Sequence, residues 1–399
     1  MVFTGLLCLM GAAAQAAELP LYSHYPSLKK SLARVEIIKE ATPLLPMAQL
    51  EARIGATPGS LWVKRDDISD SPLGGNKARK LEFLLAQVFA HGSDAIVTSG
   101  MWGSNHALAT AVAAHEYGFK ARLILGPQPV TDDVRHKILA MHALGAELRY
   151  HGNRIAMGLD MVGQMIASFF SKKLYYVPPG GSNDVGDLGY VSAFLELFDQ
   201  VGIEGLPQRI YLPVGTMGTS AGLLVGSCLA GVYERVKIEG VNVADPLLTG
   251  DATTRRQAAH LYKFIKKHLD DRERARLPRC DFWSKKAFEF ISEYYAPGYG
   301  AAKPEVFAGM KVARETESIV LDRTYSGKAW LAFLERVEAE AKSGKPVPKT
   351  LFWHTYNSYD LDRTIATHPW KNPDEKWREL PKDFHWMFEK PKAPGRRGD

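Results

Sequence analysis

The chain has 399 residues, enough for two lobes that each bury a core of their own. Hydrophobic residues make up 46% and charged residues 24%, an ordinary globular balance that excludes disordered, collagen-like and membrane-embedded classes. The formal net charge of +6 lies largely in separated clusters such as Lys29-Lys30, Lys266-Lys267 and Arg396-Arg397, so no nucleic-acid partner is expected.

Residues 2–17 are uncharged and mostly apolar, and they end in the small-x-small pattern Ala14-Gln15-Ala16. Residues 1–17 therefore read as a signal-peptide candidate without the usual basic start, which leaves the compartment open between export and cytoplasm. No later segment reaches the roughly 20 apolar residues of a membrane span, so no membrane partner is expected. Cys8, Cys228 and Cys280 are widely spaced and contain no Cys-x-x-Cys pair. Neither a disulfide framework nor a zinc site is expected from them, and no metal ligands are read elsewhere.

From residue 61 onward strand-like runs alternate with helical periods, which predicts an open α/β fold with a mostly parallel sheet. A strand over 61–64 is followed by Leu73-Gly74-Gly75-Asn76-Lys77, a glycine pair that delivers a lysine to the start of a helix over 77–89. A strand over 95–98 runs into Ser99-Gly100-Met101-Trp102-Gly103-Ser104-Asn105, which opens a helix over 105–117. Strands over 121–125, 147–150 and 174–177 then alternate with helices over 132–144, 156–170 and 189–201. The strand over 209–213 leads into Val214-Gly215-Thr216-Met217-Gly218-Thr219-Ser220 and a helix over 219–229. A strand over 236–243, helices over 254–269, 304–316 and 327–341, and a strand over 350–354 complete the series. Beyond residue 360 the chain reads as an irregular tail, but Trp370, Trp377, Phe384, Trp386 and Phe388 argue that part of it packs on the body.

Three of these segments suit a bound ligand. A lysine held at a helix start, with its amine kept neutral by desolvation or positive potential, can form a Schiff base with an aldehyde; taken alone, this weak pattern reads rather as a surface lysine after an ordinary turn. Ser104 and Asn105 can cap a helix or meet a ligand at a strand C-terminus. The backbone N–H groups of residues 215–219 can form an anion nest at a helix N-terminus. That segment matches neither the lysine-bearing triphosphate loop nor the dinucleotide Gly-x-Gly-x-x-Gly spacing, so a monophosphate fits it better. Tyr299 and Tyr325 alone read as half-buried packing tyrosines.

Together, in this order and spacing, the segments resemble the pyridoxal-phosphate-dependent family that contains D-cysteine desulfhydrase and 1-aminocyclopropane-1-carboxylate deaminase. Lys64-Arg65-Asp66-Asp67, Gly74 to Glu82, Ser104-Asn105-His106 and Gly215 to Thr219 carry the resemblance. It implies a two-lobed, tryptophan-synthase-β-like fold of open parallel sheets, with a large lobe over 18–84 and 181–360, a small lobe over 85–180, and the tail over 361–399. It implies pyridoxal 5'-phosphate as cofactor, a small amino acid as substrate and a homodimer. Lys77 becomes the Schiff-base lysine, with Ser104, Tyr299 and Tyr325 facing the substrate. Asn76, Asn105, Gly215, Thr216, Met217, Gly218, Thr219 and Ser326 become cofactor contacts.

Ser326 stands where ring-opening deaminases of the family carry a carboxylate beside the pyridine nitrogen. That favours a lyase of the D-cysteine desulfhydrase kind, releasing keto acid, ammonia and sulfide. Cyclopropane deamination, racemisation and a non-catalytic amino-acid binder stay open as alternatives. Two departures from the family pattern bear on the substrate: Tyr356-Asn357 replaces a glycine pair after the last strand, and Gly103 replaces a glutamine.

Overall fold

The structure, a computed structural model, describes residues 18–68 and 73–389; the signal-peptide candidate lies outside the described residues. The strands are β1 (Leu44–Pro46), β2 (Leu61–Arg65), β3 (Ala95–Met101), β4 (Lys120–Gly126), β5 (Glu147–Tyr150), β6 (Leu174–Tyr176), β7 (Arg209–Val214), β8 (Lys237–Asn242), β9 (Phe288–Ile291) and β10 (Thr350–His354). The longer helices are α1 (Gly75–His91), α2 (Asn105–Glu116), α3 (Asp132–Ala143), α4 (Arg154–Phe170), α5 (Asp184–Gly205), α6 (Gly218–Leu229), α7 (Asp251–His268), α8 (Pro304–Glu317) and α9 (Ser326–Lys342).

Two sheets result. The larger runs β1-β2-β10-β7-β8-β9 and is parallel apart from the β1 edge. The smaller runs β5-β4-β3-β6 and is parallel throughout. β7 and β10 are buried along their whole length, as parallel strands covered on both faces must be, which is why they read as unbroken apolar runs. Several helices begin where side chains satisfy their first N–H groups: Thr131 accepts from Val134, Asn153 from Ala156 and Asn183 from Gly186. Each such cap is worth about 1 kcal/mol.

Helix α1 lies where the two cores meet. Ala78, Leu81, Leu84, Leu85 and Val88 join the core of the small sheet, while Phe83 joins the large one. Because Lys77 is on this helix, its position is set from both sides. The C-terminal segment also belongs to the small-sheet core: Ile365, Leu380, Phe384 and Met387 are buried in it. Residues Leu361–Ala366 form a short helix there, and Arg135 of α3 donates to the Met387 carbonyl at 2.7 Å.

Two strands have no sequence signal. β1 has only three residues and ends in Pro46, and β9 is a four-residue edge with an exposed Glu289. The cysteine expectation is overturned. Cys228, buried in α6, and Cys280 form a disulfide that closes a separation of 52 residues. Nothing in the cysteine spacing indicates this pairing, because the two meet only when α6 packs beside the loop after α7. Cross-linking a loop of this length removes entropy from the unfolded chain. Cys280→Ser is expected to lower stability by roughly 2–4 kcal/mol, read from denaturant unfolding without reductant; an unchanged midpoint would mean the bond is absent from the folded protein.

Candidate active site

The first turn of α1 is pinned by neighbouring strands. The Gly75 N–H donates to the Asp66 carbonyl and the Asn76 N–H to the Thr355 carbonyl, both at 3.0 Å. These satisfy two of the N–H groups that a helix start leaves without partners, and they fix Lys77 one residue later. Lys77 lines an open pocket of about 430 Å³ together with Asn76, Asn105, Lys137, Tyr356 and Asn357. Its side chain is half-buried because it borders this space. Desolvation, and then the positive charge of Lys80, depress its pKa from the usual lysine value to about 7, against the pull of Asp187 and Asp322. Such an amine is about half in its neutral, nucleophilic form near pH 7.

Lys80, one helical turn on, is fully buried. Its Nζ donates to Ser182 Oγ at 2.7 Å and to Asp187 Oδ1 at 3.2 Å, and Ser182 Oγ bonds Thr216 Oγ1 at 2.7 Å. The glycine loop thus closes on an ammonium group. A Cβ on Gly218 would lie 1.9 Å from Asp187 Oδ1 and 2.5 Å from Lys80 Nζ, so only glycine permits the loop to sit there. Met217 takes the left-handed conformation at φ 63° and starts α6. Asn76 Nδ2 reaches Thr219 Oγ1 at 3.4 Å, joining this loop to the lysine turn. Ser220 Oγ is buried with no hydrogen-bond partner among the described residues, an acceptor and donor aimed at nothing that the protein supplies.

Ser104 is buried and caps α2, its Oγ accepting the Ala107 N–H at 3.2 Å. Asn105, beside it, faces the lysine pocket. His106 bonds Thr98 Oγ1 at 3.0 Å, and burial followed by Lys77 and Lys80 hold its pKa well below the usual value, so it stays neutral.

Tyr299 and Tyr325 hydrogen-bond each other through their hydroxyls, with rings edge to face at 5.7 Å. A Cβ on Gly215 would lie 3.4 Å from Tyr325 Cε1, which sets the pair against the phosphate-type loop. Burial pushes Tyr299 up to about 12, and burial followed by Tyr299 pushes Tyr325 well above the ordinary phenol value. Both phenols stay protonated: one proton is spent between them and the other is left to donate. Ser326, fully buried, donates its hydroxyl to Asp322 Oδ1 at 2.7 Å, while its N–H bonds the same oxygen at 2.8 Å. Asp322 thereby orders the start of α9.

Several residues in and around the pocket escape sequence reasoning. Lys80 had a signal, the i, i+3 spacing from Lys77 that puts both on one helix face. Asp187 and Asp322 are carboxylates whose proximity depends on the folded loops. Lys137 bonds Asp133 Oδ2 at 2.8 Å and lies 5.7 Å over the Tyr356 ring, so α3 and the residue replacing a family glycine meet at the pocket. Burial pushes the Tyr356 phenol up to about 12, with Lys137 opposing. Gln128 explains the other departure. Its Oε1 accepts the Gly103 N–H at 3.0 Å, and a side chain at 103 would collide with its amide and with Val134. An amide from the loop after β4 thus fills the space that a glutamine at 103 would need.

A depressed lysine amine, a helix N-terminus with a buried lysine, and an unpartnered Ser220 hydroxyl fit an aldehyde cofactor bearing one phosphate. The family model for the pyridoxal-phosphate dependent enzyme matches residues 35–354. D-cysteine desulfhydrase of Yersinia pestis (strain Pestoides F) is 30% identical over 343 residues, 84% of this chain and 96% of the relative. A Pyrococcus abyssi protein provisionally named a 1-aminocyclopropane-1-carboxylate deaminase is 32% identical over 326 residues, 81% of this chain and 91% of its own. The crystal structure of an ACC deaminase homologue superposes with a TM-score of 0.68 at 26% identity, covering 88% of this chain and 99% of that one. Its correspondence extends the two-sheet, tryptophan-synthase-β-like arrangement across nearly the whole chain. From cofactor-shaped site and matching family model alike, the chain belongs to the pyridoxal-phosphate-dependent enzymes.

Proposed function

We propose that the enzyme is a lyase of the D-cysteine desulfhydrase kind, removing a β-substituent from a small amino acid to give keto acid, ammonia and, from cysteine, sulfide. The observation that carries this is Ser326: a buried hydroxyl, bonded to Asp322, stands where the ring-opening deaminases of the family place a carboxylate. Bound pyridoxal phosphate supplies an electron sink for the carbon that loses a proton. A hydroxyl stabilises a ring proton far less than a carboxylate does, which suits expulsion of a good leaving group better than opening of a carbon ring.

The residues divide the work. Lys77 would hold the cofactor through its amine and, with that amine free, would move the proton at the substrate α-carbon. The loop Gly215 to Thr219, with Lys80 behind it, binds the phosphate. Asn76 and Asn105 orient the ring, Ser104 holds the substrate, and the Tyr299–Tyr325 pair donates a proton on the leaving-group side. Purified enzyme should release sulfide from D-cysteine much faster than 2-oxobutyrate from 1-aminocyclopropane-1-carboxylate; the reverse order would overturn the reading. Ser326→Glu is expected to lower D-cysteine turnover at least about tenfold while cofactor absorbance persists, since it puts a charge where the hydroxyl is; unchanged turnover would remove the argument.

We infer in addition that two copies associate. The face of α4 bearing Ile155, Leu159, Ile166, Phe169 and Phe170 is exposed, Phe169 at 85%, and an apolar patch of that kind marks an interaction surface. Light scattering should give a dimer that Phe169→Glu weakens. The Cys228–Cys280 disulfide supports an oxidising compartment.

A further inference from the structure

Remote from the lysine pocket in function, His142, His368 and Glu379 bring three ligand atoms within 4.8 Å of one another. His142 lies in the last turn of α3, and the other two come from the C-terminal segment that packs on that helix. All three are half-buried. Glu379 is already oriented: its Oε1 accepts the Lys371 N–H at 2.6 Å, which leaves Oε2 facing the imidazoles, 4.0 Å from His368 Nε2. Trp370 walls the group, stacked on the His142 ring at 5.6 Å and edge-on to His368 at 4.4 Å, and is itself anchored by its indole N–H on the Ile365 carbonyl at 2.8 Å.

We propose that this cluster is a divalent transition-metal site, best suited to zinc. Two imidazoles and one carboxylate are a zinc donor set, with water completing the tetrahedron. In such a site, bonds of about 2.0–2.1 Å put ligand atoms roughly 3.4 Å apart, so small side-chain rotations close the present spacing. The Lys371 amide on the far carboxylate oxygen is the outer support that ligating carboxylates use. The C-terminal carbonyls of α3 add negative potential toward a cation. A metal here pins the C-terminal segment to α3, and that segment carries Phe384 and Met387 into the small-sheet core. No spacing rule shows the set in the sequence, because His142 and its two partners belong to distant stretches joined only by folding.

The test is calorimetric titration of chelator-treated holoenzyme with zinc chloride, with His368→Gln and Glu379→Gln beside it. The native protein should bind one zinc per chain saturably and gain thermal stability. Each variant should lose at least about tenfold in affinity while keeping its cofactor absorbance, which shows that it is folded. Limited proteolysis should cut the C-terminal segment more slowly with zinc in the native protein alone. Absence of saturable binding, or binding of equal affinity in both variants, overturns the proposal.

Discussion

Lys77→Ala is expected to abolish covalent attachment of pyridoxal phosphate and to lower turnover by roughly 10³-fold or more, since it removes both the anchor and the proton carrier. The check is absorbance of the purified variant before and after borohydride, with mass spectrometry of the native protein locating the reduced adduct. An adduct on Lys80 or Lys137 in place of Lys77 would sink the assignment, and both are close enough to make the comparison informative. A pH profile sharpens it. Desolvation and Lys80 depress the Lys77 amine to about 7, well below the unfolded lysine value, so its neutral fraction grows as pH rises through 7. Cofactor uptake by the apoprotein should climb between about pH 6 and 8 and level off above. An amine of ordinary pKa would keep gaining to beyond pH 10. A single rise near 10 would mean that the environment of Lys77 does not shift it.

The alternation of strands and helices is legible in the sequence because the site loops follow strands with a buried centre and open helices, as at β3 and β7. That also marks the glycine-rich turns at those strand C-termini as candidates for ligand contact, since an α/β fold binds ligands there. What stays hidden depends on contacts between distant stretches. Gln128 standing in for a side chain at 103 and the Cys228–Cys280 bond each join residues that no local period relates. β1 and β9 are too short and too marginal at their sheet edges to carry a pattern. The Lys-Arg-Asp-Asp stretch is a further case. Its residues look chemical in the sequence, yet Lys64 and Asp66 are buried in an ion network away from the pocket.

That network underlies the largest expected effect on stability. Arg79 donates to Asp66 Oδ1 at 2.8 Å and to Glu196 Oε2 at 2.9 Å. Lys64 pairs with Glu196 Oε1 at 2.5 Å and also reaches Gln200 at 2.7 Å. Tyr190 and Trp353 each donate to Asp66 Oδ2 at 2.7 Å. β2, α1, α5 and β10 are thus tied together two residues from Lys77. Burial alone would raise the Asp66 carboxyl, but the Arg79 guanidinium, with Lys64, holds it down at about 2. Arg79→Ala leaves two carboxylates buried against a single lysine and is expected to cost about 3–5 kcal/mol, read as the shift in urea unfolding at pH 7. Arg79→Lys restores the charge without the two-pronged geometry and should recover only part of it. The sign with pH follows. A folded pKa below the unfolded value contributes stability above about pH 4 that is lost as pH falls toward 2. In Arg79→Ala the stranded carboxylates take up protons instead, so the gap between variant and native protein should narrow as pH falls from 7 toward 4. A gap under 1 kcal/mol at pH 7, or one that widens in acid, would mean that Arg79 does not neutralise this pair.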